Sequence, residues 1–501
     1  MLRISYCYDH KAGPKLIFGA CTWLSITFAS SNFTVLKFYG LLFLLLISCF
    51  SKGLWAQTGF QTDTVAPYKF LHRIIIKGQT KTHRAVILRE LNVQPGDTIY
   101  RAQTESLTQI NTQRLYTISI FNEVSISWPP AGSADSIDML IMVKDRFPVF
   151  PKGDLEFADR NFNVWWLEKH HDLRRINLGL TLTDNNFRGR RENLSITGQA
   201  GYTQKIGISY SRPFIDKAQK HGIGVSFFGL QNREIAYNTI NNKLAFERDD
   251  KDNLMRRFDA ALWYSYRPEY AITHTLKFTW QHYWISRQVA RINPEYLGNG
   301  IQEANNLWLQ YRFEWNKVDN WNYPLTGERF IGFLDEKLLL PDHQFQSSLH
   351  LQFDRYDQPF DKWFTAFIFR GRISAPFDQP YIFRQNLGYE QDYMRGFEYY
   401  VLDGSAFALG RVDIKRCLVN YNIYLPVRYF ELIPIKVYAK VFGDIGTSYN
   451  KFPEHDFLNN RWLYSAGFGL DIVTLYDIKV RIEYTFNNLG EKGLFLHKSG
   501  E

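Results

Sequence analysis

The sequence predicts a transmembrane antiparallel β-barrel of about sixteen strands, preceded by one small α/β module. Three observations carry that expectation. Apolar and polar residues alternate through most of the chain, aromatic residues are in excess, and no stretch after the N-terminus is apolar over the roughly 18 residues that a membrane helix needs. The alternation is plainest in IKVRIEYTF at residues 478–486. There Ile478, Val480, Ile482, Tyr484 and Phe486 fall on one face of an extended chain, and Lys479, Arg481, Glu483 and Thr485 on the other.

Composition narrows the classes. Of the 501 residues, 22% are charged and 45% hydrophobic, ordinary values for a soluble protein, but 17% are aromatic, with 40 Phe, 30 Tyr and 13 Trp. Half-polar rings in that number have a use at the two interfaces of a membrane, where barrels carry them as girdles. The net charge of +9 is modest for the length, and without a basic cluster to concentrate it we read it as surface charge and expect no nucleic-acid partner. Cys7, Cys21 and Cys49 lie in the N-terminal stretch and leave Cys417 alone. One cysteine builds no disulfide framework, and no spacing marks a metal site, so neither metal nor cofactor is expected.

The elements follow in order. Residues 37–57, KFYGLLFLLLISCFSKGLWAQ, have the basic start, short apolar run and polar end of a secretory signal peptide. Cleavage is expected after Ala56, although Leu54 is bulkier than the usual small residue at that place. LISC at 46–49 also fits a lipoprotein signal with Cys49 as the lipidated residue; the plainer reading leaves Cys49 in the apolar core of the signal. Residues 1–34 look superfluous, with the true start expected near Val35 or Leu36. The expected division is signal peptide and extension over 1–56, linker over 57–68, α/β module over 69–147 and barrel over 148–501.

The module opens with an apolar strand at 70–78. A helix follows with Ala85, Val86, Leu88 and Leu91 at helical spacing, stopped by Pro95-Gly96. A second helix at 101–115 should bury Leu107, Ile110 and Leu115. Strands at 118–128 and 136–146 are joined by a Pro-Pro-Ala-Gly turn. This order of strand, helix, helix, strand, strand resembles a POTRA domain, and residues 115–124, LYTISIFNEV, resemble that module's helix-to-strand segment. The resemblance implies a periplasmic domain whose strand edges accept extended peptides.

From 148 onward the alternation keeps returning. Ile176, Leu178, Leu180 and Leu182 share a face, and Leu307, Leu309, Tyr311, Phe313 and Trp315 oppose Trp308, Gln310, Arg312 and Glu314. About 350 residues at roughly 22 per strand and connection make about 16 strands. The large apolar side chains should face lipid and the polar ones a wet lumen.

Residues 374–405 are the longest stretch without alternation, a length uncommon in a loop without a function. At its centre Met394-Arg395-Gly396-Phe397 resembles the (V)RGF/Y motif of the BamA/TamA-type outer-membrane assembly family, with Met394 at the usual valine. About 47 residues on, Phe442-Gly443-Asp444-Ile445-Gly446 resembles the partner strand motif F-x-D-x-G, and residues 323–327, YPLTG, resemble a turn common in such barrels. The resemblance implies that the loop folds back into the barrel, with Arg395 anchored on Asp444, close backbone approach at Gly396, and Phe397 packed near Phe442. The last strand departs from the pattern of many such barrels. It has a brief alternation around Leu494, Phe495 and Leu496 and ends in Lys-Ser-Gly-Glu instead of an aromatic residue, which implies a weak seam with the first strand.

No catalytic pair is nominated: His170-His171-Asp172 reads as a solvated turn, and no nucleophile elbow, zinc-binding helix or phosphate loop occurs. The expected protein is not an enzyme. The resemblance implies insertion or assembly of outer-membrane proteins, with outer-membrane lipid, unfolded outer-membrane or exported polypeptides, and accessory lipoproteins or periplasmic proteins as partners. Two alternatives stay open: a polypeptide translocator of the two-partner secretion kind, and a passive porin or surface antigen.

Overall fold

A computed structural model of the chain describes residues 68–498 other than 119, 133–134, 148, 159–161, 217, 425–431, 454–455 and 475–478. The expected signal peptide with Cys49, and Ile478, lie outside the described residues.

The N-terminal module is a four-stranded sheet with two helices. β1 (Tyr68–Lys77), α1 (Arg84–Glu90), β2 (Thr98–Tyr100), α2 (Thr104–Thr117), β3 (Phe121–Ser127) and β4 (Ser136–Asp145) give the strand order β2-β1-β4-β3. Leu71, Ile74, Ile87, Leu115, Met139 and Ile141 make an apolar core. One expectation fails. Ile110 is 43% exposed, and the neighbouring Asn111 is fully buried instead. Asn111 Oδ1 accepts from the Asn92 N–H at 2.9 Å, and its Nδ2 donates to the Leu107 carbonyl at 2.8 Å. An amide satisfied at both ends can occupy a place that periodicity reserves for an apolar residue. On α1 the buried side is Val86, Ile87 and Glu90, while Ala85 is exposed.

Sixteen strands then form one antiparallel sheet in chain order. β5 (Val149–Phe157), β6 (Ile176–Phe187), β7 (Glu192–Gly201), β8 (Thr203–Arg212) and β9 (His221–Asn232) come first, followed by a separate hairpin, β10 (Glu234–Ile240) and β11 (Lys243–Arg248). β12 (Met255–Glu269), β13 (Ile272–Ile285), β14 (Glu303–Asn316), β15 (Gly327–Leu340), β16 (Gln344–Phe360) and β17 (Trp363–Ala375) continue the sheet, with α3 (Arg287–Ile292) between β13 and β14. A short pair, β18 (Gln385–Leu387) and β19 (Leu402–Asp403), lies in the long loop. β20 (Ala406–Tyr424), β21 (Leu432–Tyr449), β22 (Leu463–Val473), β23 (Lys479–Asn487) and β24 (Lys492–Lys498) complete the sheet.

The two faces differ as alternation requires. Leu178, Leu180, Leu262, Tyr264, Leu276, Phe278, Phe468 and Phe486 are exposed, whereas Thr279, Gln281, Glu483 and Thr485, out of phase with them, are buried. Large apolar side chains outside and polar ones inside invert the pattern of a soluble protein, and lipid is the solvent that fits. One detail differs from expectation: Glu483 and Thr485 face no open water but lie beneath the folded-in loop.

The strand order begins at β5 and ends at β24, and among the described residues no ladder joins these two. They nevertheless meet. Asn163, just beyond β5, donates its side-chain amide to the Leu494 carbonyl of β24. The sheet therefore curls into a barrel with one unladdered seam.

The module packs on the end of the barrel where β5 starts. The His83 N–H donates to the Gly189 carbonyl of the β6–β7 turn at 2.8 Å, and Lys81 Nζ lies 3.0 Å from Asp184. Glu90, buried on α1, is held by Arg191 of the β6–β7 turn at 3.4 Å and by Arg267 near the end of β12 at 3.2 Å. Asp145 braces the docking turn from behind. Its Oδ2 accepts from the N–H groups of Thr80 and Lys81 at 2.7 and 2.9 Å, and its Oδ1 from the Thr82 hydroxyl at 2.8 Å. Burial pushes this carboxyl's pKa up, but the backbone and hydroxyl donors outweigh burial and hold it below its ordinary value. A carboxyl depressed in the folded state contributes stability above its unfolded value of about 3.9, which is lost as pH falls through the folded value. Protection of amides 79–83 against hydrogen exchange, corrected for intrinsic rates, should therefore fall between about pH 5 and about pH 3. Asp145→Asn should lower it already at the upper pH; protection unchanged by both would contradict this role.

Candidate functional site

Between β17 and β20 the chain turns back into the barrel. The Ser374 N–H donates to the Ser405 carbonyl at 2.6 Å, which closes the neck of the loop. β18 and β19 then pair as its stem, and residues 393–397 form a tip that is buried throughout.

The tip meets the inner wall of β20 to β23. The backbone N–H of Arg395 donates to Asp444 Oδ2 at 3.0 Å, and its Nε reaches both carboxylate oxygens at 3.1 and 3.0 Å. Nη1 lies 2.8 Å from Asp413 and 3.6 Å from Glu483. The guanidinium also sits 3.9 Å from the centre of the Phe442 ring. It occupies the position where Phe397 was expected; Phe397 instead joins Met394, Tyr400, Leu402, Leu409, Leu458 and Leu463 in an apolar cluster. The planar cation fits over an aromatic face while its edge donates to carboxylates, so one side chain makes both contacts.

The glycines serve close approach. Gly396 has φ +83, and a β-carbon there would come 3.1 Å from the Ser465 side chain. Its carbonyl accepts from Asn487 Nδ2 at 2.7 Å. Gly446 pairs with Leu409, and a β-carbon on it would meet the Met394 sulfur at 3.4 Å. Gly443 lies between Val412 and Ala466 in the sheet, one residue from Asp444.

Sequence reasoning missed most of the wall. Asp413, Asp444, Asp471, Glu483 and Glu398 are buried carboxylates, set among Arg395, Arg411, Lys415, Lys440 and Arg481. Lys440 bridges Asp471 at 2.5 Å and Glu483 at 2.6 Å, Lys415 lies 3.7 Å from Asp413, and Arg411 lies 3.8 Å from Asp444. His497 of β24 stands between Glu398 of the loop at 3.5 Å and Glu483 of β23 at 3.3 Å. These five carboxylates lie against five cations, so this part of the wall balances its own charge, as buried charges require. The signal was in the sequence as charged residues in one phase of consecutive strands, but only the register aligns them. Below this wall Tyr323, from the β14–β15 turn, donates its hydroxyl to Asp471 at 2.8 Å, with Lys415 Nζ 4.7 Å from its ring centre.

At the seam, β24 is seven residues long and ladders to β23 alone among the described residues. Leu494 and Leu496 are exposed to the lipid side, and Phe495 is buried inward, its ring 5.5 Å from that of Tyr399 in the loop. The loop thus touches β24 through Tyr399 and His497, as well as the wall that carries Asp444.

Removing either partner of a buried ion pair strands the other charge, at a cost of about 3–5 kcal/mol. Arg395→Ala and Asp444→Ala should each lower the stability of the barrel by about that much, and the double variant should cost clearly less than the sum. Urea unfolding followed by the shift in gel mobility on heating measures all three; additive losses would contradict the pairing.

Residues 70–145 match the POTRA family model, described as a surface antigen variable number repeat. No curated protein matches the chain. Among solved structures the chain is similar to BamA from Haemophilus ducreyi lacking POTRA domains 1–3, at 15% identity and a TM-score of 0.49, over 85% of this chain and 83% of that one. It is similar also to CdiB from Acinetobacter baumannii, at 12% identity and a TM-score of 0.47, over 86% and 73% of the two chains. For CdiB from Escherichia coli the values are 11%, 0.47, 92% and 96%. Residues 70–145 are thus a POTRA domain, and a sixteen-stranded antiparallel β-barrel follows it.

Proposed function

We propose that the protein lies in the bacterial outer membrane with its POTRA domain in the periplasm, and that it assists the insertion of other β-barrel proteins. The observation that carries this reading is the seam, where β5 and β24 end the sheet without a ladder between them among the described residues. Unpaired backbone groups are costly in lipid, so such an edge favours pairing with an incoming strand. β3, at the edge of the POTRA sheet, offers an earlier pairing site for an extended segment of an unfolded substrate. Lipid burial and strand pairing supply the driving force, and the process needs no cofactor or covalent step.

The occupied lumen favours this reading over a translocator or a passive porin. A polypeptide passing through the barrel would have to displace the loop, with its buried Arg395 ion pairs, and then Tyr323 from Asp471. A strand exchanging at the seam displaces neither. The loop's contacts with β24, Tyr399 on Phe495 and Glu398 on His497, give it a place from which to support the last strand.

The test is the folding of a urea-unfolded outer-membrane barrel into liposomes that hold this protein, its Arg395→Ala variant or no protein, followed by heat-dependent gel mobility over time. Folding should be accelerated by the wild type and much less by the variant. No acceleration by a wild-type protein that is itself heat-modifiable, and so folded, would overturn the insertion reading.

A further inference from the structure

We infer that the outward face of β6–β9 and β12–β13, together with the arginine cavity above it, binds an acylated lipid whose headgroup carries phosphate. The inference rests on the membrane orientation proposed above, because the site lies at the end of the barrel opposite the POTRA domain and so in the outer leaflet.

The lower part is a groove of about 1030 Å³. On most of the barrel wall large side chains stand out into lipid, but here Gly198 and Gly229 form a bare floor. A β-carbon built on either glycine would meet nothing within 4 Å. Leu180, Ile206 and Phe258 form the sides, and Ile206 is 73% exposed. An apolar groove of this volume, open to the bilayer, has the chemistry of a seat for an acyl chain.

Toward the outer rim the lining turns polar. Gln231 donates to Gln204 at 2.6 Å, and the Arg256 guanidinium lies 5.2 Å from the centre of the Trp284 ring. Gln204 and Gln231 also line a second cavity of about 230 Å³, so the two spaces share a wall. That upper cavity is bordered by Arg174, Arg233 and Arg248. Arg174 is paired with Asp172 at 2.9 Å, and Arg248 with Asp250 at 2.6 Å and Glu234 at 3.3 Å. Arg233 is exposed and forms no ion pair among the described residues. Three guanidinium groups around one small cavity, against one lining carboxylate, Glu234, complement a phosphate, whose oxygens accept from such forks in pairs. An apolar trough whose upper wall, Gln204 and Gln231, is also the wall of this cavity matches one amphipathic molecule better than two separate ligands.

Native mass spectrometry of the detergent-solubilised full chain tests this. The probes are bis-phosphorylated lipid A, the same lipid dephosphorylated, and inorganic phosphate, with heat-dependent gel mobility recorded on the same samples. The phosphorylated lipid should bind one to one, about tenfold or more tighter than its dephosphorylated form. Gly198→Leu with Gly229→Leu, which fills the groove, and Arg174→Ala with Arg233→Ala should each weaken it by about tenfold, with heat-modifiability kept. Equal retention of the dephosphorylated lipid would overturn the headgroup half. Displacement by inorganic phosphate alone, or indifference to the glycine changes, would overturn the lipid and leave a free-phosphate site. A wild-type chain that is not heat-modifiable would overturn the barrel reading itself, which the gel shows separately from lipid binding.

Discussion

Every backbone N–H and C=O that faces lipid must find a partner within the protein, and the rest of this structure depends on that constraint. A sheet in simple chain order meets it with local pairings, since each hairpin satisfies one edge of the strand before it. Ladders join every pair of neighbouring strands in the sheet, whereas β5 and β24 touch through Asn163 and Leu494 without a ladder among the described residues. The short β24 bears on this directly. A seven-residue strand offers few backbone groups to a partner, and its inward residues Phe495 and His497 are held by the loop and by β23 instead.

A barrel of this width has a second problem, which is its interior. Polar side chains line it, so a purely apolar plug would leave buried charges without partners. The loop resolves this with a mixed tip. Met394 and Phe397 build a small apolar cluster, and Arg395 enters the carboxylates of β20, β21 and β23. The lattice of acids and bases around it holds only with the strands in register, since Asp413, Asp444 and Glu483 come from three of them. Loop position and strand register are therefore coupled. The POTRA domain is tied to the opposite end by the same kind of contact, with Glu90 between Arg191 and Arg267.

The sequence was most legible where the physics is local. Period-two alternation marked strands such as β6, β14 and β23 because lipid and lumen sort side chains residue by residue. Arg395 and Asp444 were legible as a pair because two motifs carried them. Asn111 was not, since its burial depends on the Asn92 N–H that it happens to meet. Glu90 and Tyr323 were hidden because their partners lie far away in the chain, and the charges other than Asp444 because only the register of neighbouring strands brings them together. The bare floor at Gly198 and Gly229 needs three-dimensional context too, because a glycine in a strand reads the same whether a neighbour covers it or nothing does.

The central claim is that the barrel is laddered throughout except at one seam, and hydrogen exchange of the full chain in lipid vesicles tests it most directly. Amides of β5 and β24 should exchange far faster than those of β13 and β14, which are paired on both edges. Protection of β5 and β24 equal to that of β13 and β14 would mean a closed ladder and would contradict the account.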